Sequence, residues 1–138
     1  MKYIYPAVFT HEDDQLLVSI PDLPGCHTFG ESLLEAMELA KDAAETWLWD
    51  AENKNEPIPA PSTSNDALKL YEGKYETKGE FVSFVMADTD EYRRQNDARA
   101  VKKTLSIPAW LNHKAEQANA PFSQILQQGL KDYLGIAA

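Results

Sequence analysis

At 138 residues, with 43% hydrophobic and 25% charged side chains, the chain has the composition of an ordinary globular protein and suits one medium domain, or a small domain joined to a mini-module. The single Cys26 excludes an intrachain disulfide. No apolar run approaches the roughly 20 residues of a membrane helix, and the N-terminus lacks a signal peptide's basic start and apolar core, so a soluble cytoplasmic protein is expected. A net charge of −9 argues, taken whole, against a nucleic-acid binder. The average conceals an asymmetry. From residue 99 onward there are five cations (Arg99, Lys102, Lys103, Lys114, Lys131) against Glu116 and Asp132, a net of +3, whereas residues 1–98 hold eight cations and twenty anions, a net of −12.

In chain order, Tyr3 to Thr10 reads as a β-rich run broken by Pro6, and His11-Glu-Asp-Asp14 as a polar turn before Leu16 to Ile20, which together predict a hairpin. Pro21-Asp-Leu-Pro-Gly25 is a rigid turn, and Cys26 to Phe29 a third short strand ending at Gly30. From Glu31 to about Asp50 the pattern is helical, with Leu33, Met37, Ala40, Ala44, Trp47 and Leu48 on one stripe. The opposite face carries Glu31, Glu35, Glu38, Asp42 and Glu45. Asn53 to Ser64, with Pro57, Pro59 and Pro61, is a connection. Phe81 to Met86 is a short apolar run that returns to the sheet as another strand. Residues 88–100 are charged and without periodicity, and read as a linker with room for a helical turn.

The last forty residues carry the clearest pattern. Lys102, Thr104 and Ser106 alternate with Val101, Leu105 and Ile107, the period of a strand with one polar and one apolar face. Pro108 cannot continue a ladder but suits a first helical turn, after which Leu111, Ala115 and Ala118 recur at helical spacing. Beyond the break at Asn119-Ala-Pro121, Ser123 is placed to cap a second helix with the stripe Ile125, Leu126, Gly129, Leu130, Tyr133 and Leu134, closed by Gly135. Strand, helix, helix resembles the ribbon-helix-helix DNA-binding fold.

One isolated strand cannot pair itself, so this unit calls for a second chain and a two-stranded antiparallel ribbon. Leu105, Ile107, Leu126, Gly129 and Leu130 are the expected dimerisation residues; Gly129 allows two helices to cross closely at a cost of about 1 kcal/mol against Ala. The ribbon would enter the major groove of operator double-stranded DNA, with Lys102, Thr104 and Ser106 at base edges and Ser123 with nearby backbone N–H groups on a phosphate. Such dimers commonly occupy repeated half-sites, so a homodimer, extendable to a tetramer, is expected.

The N-terminal half carries a second resemblance. Pro21-Asp-Leu-Pro-Gly-Cys26, Gly30, Glu35-Ala36, Trp47-Leu48 and Ile58-Pro-Ala-Pro-Ser62 look like the pattern of HicB antitoxins, by motif over residues 2–62 and by order of elements to residue 87. The resemblance implies an α+β protein: a partial RNase H-like domain over 1–87 (three-stranded meander, helix, further strand), the linker, and the ribbon-helix-helix domain over 101–138. It also implies that the body binds and blocks a HicA-type toxin, a ribonuclease acting on mRNA, while the module represses the operon. Charge adds a contact surface, because Glu38, Asp42 and Glu45 share one helix face and would attract a basic toxin. Trp49, with Trp110, is the candidate aromatic anchor.

Catalysis by the body is not expected. Metal-dependent phosphoryl chemistry needs several carboxylates converging from strands and a facing helix, and Glu12, Asp13, Asp14 and Asp22 all fall in turns. Cys26-His27 offers two soft ligands where a metal site needs three or four, and no phosphate-binding glycine loop is present, so neither metal nor cofactor is expected. The other class left open is a ligand-responsive ribbon-helix-helix repressor whose N-terminal domain senses a small molecule; a buried polar pocket would favour it, a flat acidic surface the toxin binder.

Overall fold

The computed structural model describes residues 1–136, and the chain divides into two compact units, Met1–Arg99 and a second beginning at Ala100. The first opens with the antiparallel hairpin of β1 (Lys2–Glu12) and β2 (Gln15–Ser19). Asp13 turns the corner at φ 54°, a left-handed conformation that aspartate tolerates better than most residues. Contrary to the sequence reading, Pro6 does not break β1. At Pro6 the strand is paired to one neighbour only, because β2 reaches no further than Val8, so the missing N–H can face the unpaired side.

The turn Pro21–Gly25 is closed by backbone bonds from Leu23 N–H to Ile20 and from Cys26 N–H to Leu23, with Gly25 at φ 78°, and delivers β3 (His27–Gly30) against β2. Helix α1 (Leu33–Asn53) begins at Ser32, whose hydroxyl accepts the Glu35 N–H while the Glu35 carboxylate reaches back to the Glu31 N–H, a variant of the capping box. Its buried stripe is Ala36, Ala40, Ala44, Leu48 and Ala51, with Met37 and Trp47 packed against the core; of the stripe expected, Leu33 alone stands away, half exposed. The reason is steric. A Cβ on Gly30 would stand 2.5 Å from the Ala36 nitrogen, so helix and sheet approach so closely that small side chains, not large ones, fill the seam.

β4 (Phe81–Asp88) pairs with β1 from Phe9↔Phe81 to Lys2↔Asp88, giving the order β3-β2-β1-β4, antiparallel throughout. Tyr5, Ala7, Phe9, Leu16, Val18, Val85 and Ala87 point from the sheet into one core with α1. Two elements were not anticipated. Helix α2 (Ser64–Tyr75) starts at Thr63, buries only Ala67 and Tyr71 and covers part of the opposite sheet face, where Val8 and Leu68 crowd Gly79. Helix α3 (Thr89–Asn96) occupies most of the stretch read as a linker. It is too short and polar to show periodicity, and it is held by polar contacts to α1 rather than by an apolar stripe.

The Pro-rich connection is tied down as well. Asp22 accepts the Ser62 N–H at 2.9 Å and the Ser62 hydroxyl, and the Tyr5 hydroxyl donates to the Pro59 carbonyl, so two stretches that carry the family resemblance meet in space.

The second unit contains α4 (Ala109–Gln117) and α5 (Phe122–Leu134), the latter closed by Gly135 at φ 70°. Among its described residues none is buried. Residues 101–107 form no strand here, and no hydrogen bond to another described residue involves them. A lone strand has nothing to ladder with.

Candidate partner surfaces

Each expected DNA-facing side chain, Lys102, Thr104 and Ser106, is exposed. The apolar residues between and beyond them are exposed too: Leu105 is 60% and Ile107 48% accessible, and on α5 Leu126, Leu130, Tyr133 and Leu134 lie open in the same way. Gly129 has nothing within 4 Å of a Cβ built on it. α5 therefore presents an uncovered apolar stripe with a gap in its middle. Ser123 departs from expectation: the cap position is Pro121, no side-chain cap bond exists, and Ser123 sits inside the first turn. The first intrahelical bond runs from Ile125 N–H to Pro121, leaving the N–H groups of Phe122, Ser123 and Gln124 without helical acceptors, as at any helix start.

On the body, the expected acidic face separates. Glu38 and Asp42 are exposed, but Glu45 is 6% accessible, accepting from Lys41 Nζ and from the Asp88 N–H at 2.8 Å each. It fastens α1 to the end of β4 and is not a contact residue of the free surface. Trp49 is half-buried under α3, its ring 5.7 Å from that of Tyr92, and its Nε1 is buried without a partner. Trp110 remains largely exposed.

Sequence reasoning missed the polar hub that docks α3. Glu52 accepts from the hydroxyls of Tyr3 (2.6 Å) and Thr89 (2.9 Å) and from Arg93 (3.3 Å). Burial pushes its carboxyl up, yet these hydrogen bonds outweigh the burial and hold it below the usual carboxylate range. Burial and the adjacent Glu52 push the Tyr3 phenol up to about 12. The signal was present only as scattered polar residues far apart in the chain. Cys26 is buried, and the loss of solvent pushes its thiol up to about 11, a poor nucleophile. Among the described residues no group of three or more His, Cys, Asp or Glu side chains is placed to hold a metal ion.

A cleft of about 640 Å³ lies where α2 leaves the sheet uncovered, lined among others by Thr10, Ser19, His27, Phe29, Tyr71 and Tyr75. It too was not foreseen, since its wall belongs to the unanticipated α2.

The family model described as "HicB_like antitoxin of bacterial toxin-antitoxin system" matches residues 5–128, from β1 into α5. The chain belongs to the HicB-like antitoxin family. It is 29% identical over 114 residues to an uncharacterized 14.9 kDa protein of Haemophilus phage HP1, covering 83% of this chain and 80% of that one. With "Antitoxin HicB 2" of Photorhabdus laumondii it shares 35% identity over 64 residues, 46% of each chain. A chain of the "Toxin-Antitoxin complex from Streptococcus pneumoniae" superposes over 96% of this chain and 99% of its own, at 26% identity and a TM-score of 0.61. As a HicB-like antitoxin the protein is a component of a toxin–antitoxin system. No helix among the described residues is long and apolar enough to cross a membrane.

Proposed function

We propose that this antitoxin binds and occludes a HicA-type mRNA-cleaving toxin through its body and, through a dimeric ribbon-helix-helix built from residues 101–138, represses its own operon in the cytoplasm. The family match, which runs from β1 past the start of the second unit and into α5, is the observation that carries the reading. The second unit supports the DNA-binding half. It has two helices, a closing glycine and a run of alternating polar residues before them, and none of its described residues is buried. Two copies of 101–107 would form the ribbon, with Lys102, Thr104 and Ser106 on base edges and the free N–H groups around Ser123 on a phosphate. Leu105, Ile107, Leu126, Gly129 and Leu130 would form the shared core.

The body, read as a partial RNase H-like domain with α3 as its last element, acts by covering the toxin rather than by chemistry. Exposed Glu38 and Asp42 attract a basic partner. Lys102→Ala or Thr104→Ala should abolish specific operator binding in a gel-shift assay while toxin neutralisation in co-expressing cells stays intact. Loss of both activities in a folded variant contradicts this division of labour.

A second reading draws on the cleft: a ligand-responsive repressor whose body senses a small molecule between Phe29, Tyr71 and Tyr75. The two readings part on growth. Rescue of toxin-arrested cells by Lys102→Ala protein favours the antitoxin, and failure of the wild type to rescue favours the sensor.

A further inference from the structure

On the sheet face away from α1, helix α2 packs mainly on β1 and β4, and strand register sets the floor of the cleft beside it. Phe9 and Val18 point into the core, so their neighbours Thr10 and Leu17 point away from it. Thr10 pairs with Leu17 and Leu17 with Phe29, which puts the three in one row, with Ser19 and His27 in the next. Tyr71 and Tyr75, one helical turn apart with ring centroids 5.1 Å from each other, form the wall. Phe29 and Tyr75 are left 51% and 40% accessible. Two hydroxyls lie deeper. Ser19 and Tyr71 are 8% and 7% accessible, and neither hydroxyl makes a hydrogen bond to a described residue. Trp49 Nε1 is the one fully enclosed polar side-chain atom without a partner among the described residues, so both hydroxyls keep an opening, and both line the cleft. A few polar groups set among apolar and aromatic walls are what orients a bound small molecule.

We infer that this cleft binds a neutral, flat heteroaromatic molecule of the nucleobase or nucleoside class, its ring stacked against Phe29 and Tyr75 and its edge hydrogen-bonded to Ser19 and Tyr71. Such binding rests on the sensor reading of the body, for which it names the ligand. Size agrees, since about 640 Å³ falls within the range of small-molecule sites. Chemistry narrows the class. Aromatic side chains stack on any base, and each hydroxyl both donates and accepts, so the pair suits an edge that carries a donor beside an acceptor, where a carboxylate or an ammonium offers only one kind. Charge excludes an anion. No lysine or arginine lines the cleft, Glu12 puts a carboxylate there, and His11 Nδ1 is held by Glu80 at 2.6 Å. Lys74, which lines a smaller hollow next to the cleft, stands over the Tyr75 ring at 5.4 Å. The twenty anions against eight cations of the first 98 residues repel a phosphate chain as well, so a free nucleoside is favoured over a strand of nucleic acid.

Titration calorimetry of the full chain with adenosine, guanosine, cytidine and uridine tests this. At least one should bind, one molecule per chain. Phe29→Ala combined with Tyr75→Ala, both at half-open positions, should weaken that binding about tenfold or more, and Ser19→Ala about fivefold. Absence of binding by all four nucleosides, or an affinity untouched by the loss of both rings, overturns the site. Amide chemical shifts in the unaltered chain locate the ligand without any variant. The bound nucleoside should move Thr10, Leu17 and Phe29 and leave Ala40 and Ala44 of α1 in place; shifts confined to α1 overturn the assignment. The monophosphate of the same nucleoside should bind no more tightly, and tighter binding overturns the neutral class. An operator gel shift at saturating nucleoside then separates site from sensor: unchanged DNA affinity contradicts the sensor reading alone, and changed affinity upholds both.

Discussion

The two units of this antitoxin solve the same problem in opposite ways. The body buries aromatic, branched and alanine side chains between a four-stranded sheet and α1. The second unit has two well-formed helices and a strand-like run but buries no described residue. Its hydrophobic residues are as periodic as those of the body; only the surface they cover is missing. A sequence pattern therefore reports that a face must be buried, while the structure reports whether this chain does the burying.

The largest expected effect breaks the contrast from the side of the second unit. Leu130→Asp puts a carboxylate into the proposed shared core and should unfold α4 and α5, losing their helical signal in circular dichroism, while the melting transition of the body persists. Simultaneous loss of both transitions would mean that the units are not separate. Next comes the body: Leu48→Ala in the seam should cost about 2–5 kcal/mol of stability in denaturant unfolding, with operator binding of the remaining folded protein unchanged.

A smaller effect concerns the docking of α3. The Glu52 carboxyl is held below its ordinary range in the folded body, so its contribution is present above the unfolded carboxylate pKa and fades as pH falls through the lower folded one. Glu52→Gln should flatten that acid loss, measured as melting temperature from neutral to acidic pH. The smallest is electrostatic. Reversing Glu38 and Asp42 to lysine should weaken toxin binding by titration calorimetry, more at low salt than at high, and no change at low salt would return both to ordinary solvated residues.

Most of the body's strands were legible because they alternate or run apolar between strong turn signals: Pro21–Gly25 and Gly30 are where the sequence places them. On α1 the expected stripe faces the core except at Leu33, and Ala36 and Ala51 were missed because a pattern of large residues hides a seam that needs alanine. α2 and α3 escaped notice because each buries little apolar surface, α2 through Ala67 and Tyr71 and α3 through polar contacts with Glu52 and Thr46. Of the candidate contact residues, Glu38 and Asp42 stand on the surface as expected. Glu45 and Trp49 do not, because helical spacing gives a residue's direction but not what another element lays over it. Ser123 failed as a cap because the cap lies two residues earlier, at Pro121.

Amide hydrogen exchange across Lys102 to Ile107, followed from concentrated to dilute protein, tests most directly whether two tails make one ribbon. Alternating protected amides at high concentration, lost on dilution and restored by operator DNA, are the expected result. Exchange at the unstructured rate at every concentration, with operator present, would contradict it.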